Sequence, residues 1–291
     1  MRKDFLLLVA LLCILVQGTW AASSFGGGDG SVKTPYIISS TDDWDQLSAD
    51  VAAGTDYDGQ YFRLDADITV TTMLGTGSTY KNAKPFKGVF DGSGHTLTFN
   101  HTSLASEGDI APFRFVENAT IKNLHVDGTV NTANTHTGGL VGRAYLTTLI
   151  QNCRVSTVII SSVKGDGTHA GIVALKPNYN SAQLTIEGCV FDGKILTTNG
   201  TTHCAGFVGY TSYGSLTIKN CIYAPATPDE GETAVSSEAT LYRYDESHPG
   251  TITLTNAYYK QTLGTEQGKQ AYSITFPANW AIDIVPTGTA T

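Results

Sequence analysis

The chain has 291 residues, 31 of them glycine, with 15% charged and 41% hydrophobic residues and a formal net charge of -8. Set against about 25% charged and roughly 7% glycine in an ordinary soluble domain, it is charge-poor and glycine-rich, and too apolar to be disordered. No basic run follows the first three residues, which excludes a nucleic-acid binder that displaces counterions with clustered Lys and Arg.

Residues 1–21 have the layout of a secretory signal peptide. Arg2 and Lys3 precede an apolar run from Phe5 to Val16, and small residues follow at Ala21 and Ala22. That run is too short to span a bilayer, which needs roughly 20 apolar residues. Cys13 lies inside it after Leu12, which argues against a lipoprotein. The expectation is a chain exported through a cleaved signal peptide, secreted or at the cell surface, with no transmembrane segment in its mature form.

Residues 22–59 carry one convincing helix. Thr41 reads as its N-cap, Asp42 and Asp43 fill the first turn, and Trp44, Leu47 and Val51 fall on one face. That face is suited to cover the open end of a stacked structure.

Residues 60–262 repeat. Gly139-Leu140-Val141-Gly142, Gly171-Ile172-Val173-Ala174 and Gly206-Phe207-Val208-Gly209 share one pattern. A second pattern begins at Thr120, Leu149, Thr185, Thr217 and Thr253, spacings of 29, 36, 32 and 36 residues. Each copy alternates like a short strand, with Ile121, Leu124 and Val126 inward in the first, Ile150, Cys153 and Val155 in the second and Ile186, Cys189 and Phe191 in the third. The alternation slips by one at Asn123, Asn152, Gly188, Asn220 and Asn256, the residue types that best tolerate a left-handed backbone. Recurrent bends between short parallel strands predict an all-β fold, a right-handed parallel β-helix (β-solenoid) with a short N-terminal capping helix. Residues 263–291 lose the repeat and are left to cap or tether the end.

These motifs resemble the GLUG-motif family of exported bacterial β-helix proteins, whose core is Gly-Leu-any-Gly; Gly139-Leu140-Val141-Gly142 matches it directly. Phe86 to Leu97 is similar to the family's opening coil, and Pro35 to Ile38 with the Trp44 helix is similar to its N-terminal cap. Ala111-Pro112-Phe113-Arg114 takes the place of a first motif without its glycines, so an irregular coil is expected there. The resemblance implies a secreted or surface protein, a stalk or adhesin-like module. The family includes regions of IgA-protease-type proteins in which the repeats are not catalytic, so it supplies no catalytic residue.

The candidate chemistry is sparse. Asp91, Asp127, Asp166 and Asp192 each precede glycine and read as polar corners; Asp127 and Asp192 occupy matching positions, with no basic partner recurring beside them. His136, His169 and His203 suggest a ladder along one edge, short of the three or four convergent ligands a metal needs. Cys153, Cys189 and Cys221 share an inward position and are expected to be buried, mostly reduced thiols; with Cys204 they allow three disulfide pairings. The threonines of Thr96-Leu97-Thr98 and Thr251 to Thr255 do not recur in register, which argues against an ice-binding array.

No catalytic, cofactor-binding or metal residue is assigned. Tyr242, Tyr244 and Tyr258 are the candidate ligand contacts, as platforms for sugar rings near the last coil, with packing as the competing role. The expected function is a non-enzymatic exported surface module, adhesin-like or glycan-contacting, with an extracellular glycan or a host or cell-surface protein as partner. The alternatives are a polysaccharide lyase or hydrolase using a β-helix groove, and a structural stalk fragment of a larger surface protein.

Overall fold

In the computed structural model, the described residues are 25–77, 80–104, 106–177, 181–248, 250–271, 273–275 and 285–287. Residues 1–21, with the expected signal peptide, lie outside them, as does much of the segment after residue 271.

Short parallel strands stack into a β-solenoid of about six turns. One face runs through Tyr36–Ile38, Tyr61–Leu64, Val89–Asp91, Thr120–Lys122, Thr147–Gln151 and Gln183–Glu187. A second runs through Ile68–Val70, Thr96–Phe99, His125–Asp127, Arg154–Val155 and Val190–Phe191. Ser215–Tyr223 and Thr251–Tyr259 continue unbroken around the bend and join both faces into one sheet. The third face holds Phe113–Glu117, Val141–Tyr145, Val173–Lys176, Val208–Thr211 and Tyr242–Tyr244. A four-stranded sheet of His101–Thr102, Thr129–Thr132, Val158–Ser161 and Lys194–Thr197 follows the second face in chain order.

The bend between the first two faces has a local cause. Asn123, Asn152, Gly188, Asn220 and Asn256 all have positive φ, between 49° and 64°. Where consecutive bends carry asparagine, the amides link the coils: Asn152 Nδ2 donates to Asn123 Oδ1 at 3.4 Å and Asn256 Nδ2 to Asn220 Oδ1 at 3.0 Å. Gly188 interrupts that ladder.

Inside, side chains at one register position form rows along the axis. Phe62, Phe90, Ile121, Ile150, Ile186 and Ile218 make one row; Leu97, Val126, Val155, Phe191 and Tyr223 make another. All are buried, so no coil has a core of its own and each completes its neighbour's. The second row explains the motif glycines, because its side chains press against the opposite wall. A Cβ on Gly139 would stand 2.7 Å from Val155 Cγ1, one on Gly171 would overlap the Phe191 ring, and one on Gly206 would stand 2.5 Å from Tyr223 Cδ2.

Cys153, Cys189 and Cys221 stack inward as expected, and the four described cysteines are free thiols. The Cys189 N–H donates to Cys221 Sγ at 3.4 Å. Burial raises the Cys189 and Cys221 thiols well above the ordinary range, so these groups stay protonated.

Two expectations are corrected. The N-cap of the helix Thr41–Ala53 is Ser40, whose backbone is extended and whose Oγ accepts from the Asp43 N–H; Thr41 is already helical and donates from Oγ1 to Thr69 O. Trp44, Leu47 and Val51 are buried as predicted, with the Trp44 ring edge-on to Phe90 and Phe113. The coil at Ala111 to Arg114 is regular in its strand, since Phe113–Glu117 pairs in register with Val141–Tyr145. Pairing is a backbone property, and Phe113 extends the inward row of Val141, Val173 and Val208.

Candidate functional site

Two polar constellations stand on the outside of the solenoid. The first surrounds the Tyr242–Tyr244 strand, where a hollow of about 400 Å³ is lined by Glu238, Tyr242, Tyr244, Glu246, Thr265 and Gln267, among others. The Tyr242 and Tyr244 rings lie 6.1 Å apart at 43°; Tyr242, in register with inward Val208, is half-buried and packs against the main core, whereas Tyr244 is 42% exposed. Gln267 holds this strand in place: its Oε1 accepts from Leu241 N and Tyr242 N at 2.8 and 2.9 Å, and its Nε2 donates to Tyr242 O at 2.9 Å. Between the tyrosines, the buried Arg243 donates to Glu238 Oε1 at 2.6 Å and to His203 O at 2.7 Å. Partial burial opposes ionisation of Glu238, but the Arg243 hydrogen bond and charge prevail and hold its carboxyl below the usual range. Both tyrosines therefore sit on a backbone fixed from two sides.

Tyr258 is not part of this pair. It belongs to the joined sheet, in register with Ile222 and Val190, and packs against a small outer cluster of Val190, Ile222, Ala224 and Ala271. Its ring is occupied by packing.

The second constellation lies on the outward row of the second face. His125 Nε2 is 2.9 Å from Ser156 Oγ, Ser156 Oγ donates to Asp192 Oδ1 at 2.7 Å, and Arg154 donates to Asp192 Oδ2 from Nε and Nη2 at 2.8 and 2.5 Å. The Ser156 hydroxyl has one proton, and it points to Asp192; His125 must then donate from Nε2, leaving Nδ1 to accept from Thr96 Oγ1 at 3.3 Å. Burial and the nearby Arg154 charge lower the basicity of His125. A nucleophilic serine needs the reverse order, with the base accepting its proton. This chain of groups ties neighbouring coils together.

Asp192 therefore has a basic partner that its spacing in the sequence did not reveal. Asp127, at the matching position, accepts from the N–H of its own corner residue Gly128. The histidine ladder is also corrected. Thr137 pairs with His169 and Ala170 with Ala205, which puts His136 and His203 at one register position and His169 one residue away. That single step turns His169 inward, where it is fully buried, with Nε2 2.7 Å from Ser161 Oγ. Among the described residues no group of three or more His, Cys, Asp or Glu is placed to hold a metal ion.

Comparison with known proteins identifies the architecture. No family model matches the chain. A crystal structure of a "putative immunoglobulin A1 protease" from Bacteroides ovatus superposes with a TM-score of 0.57 at 15% identity, covering 89% of this chain and 95% of that one. The likeness is one of fold. A "Putative Gly-rich membrane protein" of Evansella cellulosilytica is 28% identical over 155 residues, 47% of this chain. The match spans 17% of that relative's length. No helix among the described residues is long and apolar enough to cross a membrane.

Proposed function

We propose that the chain is a non-enzymatic, exported β-solenoid, an adhesin-like surface module of the GLUG type that contacts extracellular glycan through Tyr242 and Tyr244. The observation that carries this reading is the pair itself: two rings 6.1 Å apart beside a hollow, on a strand clamped by Gln267. Aromatic faces give sugar rings an apolar surface at low entropic cost, and a fixed backbone removes the ordering penalty. Glu246 and Thr265, which line the same hollow, add acceptors for hydroxyl groups.

The proton order in the His125–Ser156–Asp192 chain supports the non-enzymatic part of the proposal. The N-terminal leader pattern supports export, and Gly139 to Gly142 supports the GLUG assignment. The test is a glycan array probed with the purified chain and with Tyr244→Ala. Binding to a subset of glycans that falls about tenfold in the variant, a loss of about 1.4 kcal/mol, is the expected result. Binding that is absent, or indifferent to Tyr242→Ala and Tyr244→Ala alike, overturns the proposal, as does release of products from any polysaccharide offered.

A further inference from the structure

A second surface is built for a ligand by a different chemistry. On the outer side of the four-stranded sheet, Thr102, Asn131 and Ile160 stand in register on three consecutive coils. Two hollows of about 280 and 200 Å³ adjoin there and share Thr102 and Asn131. The first extends to Asn100 and Thr129, the second across Ile160 to Ser162. Together they form a shallow groove parallel to the solenoid axis.

Its lining carries no unpaired charge. The titratable residue in it, His101, is engaged at both ring nitrogens, Nδ1 with Thr71 O at 3.0 Å and Nε2 with the Glu107 carboxylate at 3.0 Å, and its ring stacks on Phe99. Asn100, Ser103, Ser162 and Thr198 use their polar side chains within the coils, and two lining groups differ from them and from those of the bends. Asn123, Asn152, Asn220 and Asn256 use their amides on one another or on Asp91. Among the described residues, the Asn131 amide and the Thr102 hydroxyl have no side-chain partner, and both residues are exposed. The half-buried Ile160 adds an apolar step in the same row.

We infer that this groove binds an uncharged linear polysaccharide, laid along the solenoid axis. A sheet face offers side chains and keeps its backbone groups in the ladder, so an added peptide strand finds nothing there to pair with. An anionic ligand finds no unpaired cation there, because His101 already faces the Glu107 carboxylate. Amide and hydroxyl groups that both donate and accept, repeated at the strand spacing of about 4.8 Å, fit a chain of hydroxyl-bearing rings with apolar faces. The inference shares the glycan reading above but places a contact on a different sheet, independent of the tyrosine pair.

The test is native affinity electrophoresis of the full chain through gels containing mixed-linkage β-glucan, xylan or galactomannan, with polygalacturonate as the anionic control. The expected result is retardation by a neutral polysaccharide that persists in about 0.5 M salt. It weakens about tenfold in Asn131→Ala and Thr102→Val, both exposed positions where melting temperature is unchanged, and survives in Tyr244→Ala. Retardation by polygalacturonate alone, or by no neutral polysaccharide, overturns the inference. Retardation lost in Tyr244→Ala but kept in Asn131→Ala overturns the groove and leaves the tyrosine reading standing; the tyrosine reading itself is decided by the glycan array, so the two can fail separately.

Discussion

Gly171 and Phe191 face each other across the interior so closely that a β-carbon on Gly171 would overlap the Phe191 ring. The Gly206 carbonyl oxygen, on the next coil, would stand 2.5 Å from the same β-carbon. The glycine thus sets the width of the cylinder at this level, and the aromatic ring fills it. Phe191 is fully buried, which leaves it nowhere to retreat.

Gly171→Ala should therefore destabilise the chain by about 1–3 kcal/mol, the cost of overpacking a dense core. Phe191→Leu, which makes room on one side, should recover part of that loss in the double variant. Recovery stays partial because the Gly206 carbonyl does not move away. Urea denaturation of both variants measures it; a Gly171→Ala chain as stable as the parent would refute the packing account.

Asp192 joins Ser156 and Arg154 from the preceding coil, with both side-chain oxygens engaged. Asp192→Ala should cost about 2 kcal/mol, since it leaves the partly buried Arg154 without its charged acceptor, and Ser156→Ala about 1 kcal/mol. The same geometry predicts that a fluorophosphonate probe for activated serines leaves Ser156 unlabelled. Labelling that disappears in Ser156→Ala would show that the proton order is wrong and would revive the hydrolase alternative.

His169 gives the fold an acid sensitivity. Burial, with a smaller contribution from His136, pushes its pKa down from 6.5 to about 3. The unfolded chain therefore takes up a proton between those values that the folded chain refuses, so stability is full above pH 6.5 and falls as the pH drops toward 3. The slope from this group is up to about 1.4 kcal/mol per pH unit, and the lowered His125 acts in the same direction. His169→Gln should flatten the melting temperature between about pH 6.5 and 4, above the range where carboxylates dominate. An unchanged pH profile in that variant would remove His169 as the cause.

Much of this structure was legible as sequence because it is local and periodic. The bends at Asn123, Asn152, Gly188, Asn220 and Asn256 follow from the backbone tolerance of two residue types. The inward rows follow from alternation with a slip at each bend, and the buried face of the helix from the spacing of Trp44, Leu47 and Val51. The same reasoning placed the helix cap one residue late, because Ser40 and Thr41 can both cap and backbone conformation decides between them.

The pairings across coils were decided by the tertiary structure. Coils vary from 29 to 36 residues, so the spacing of two residues along the chain does not say whether they stand side by side. Ser156 and Asp192, 36 apart, meet; Tyr242 and Tyr258, 16 apart, lie on different sheets. His169 turns inward through a one-residue difference in register that its distance from a motif glycine only hinted at. The groove at Thr102, Asn131 and Ile160 has no motif at all, because it arises from which outward residues the stacking brings level. Sequence specified the repeating coil and its interior, where each residue answers to its immediate neighbours. The outer surface, where a ligand would be met, was determined by how unequal coils stack.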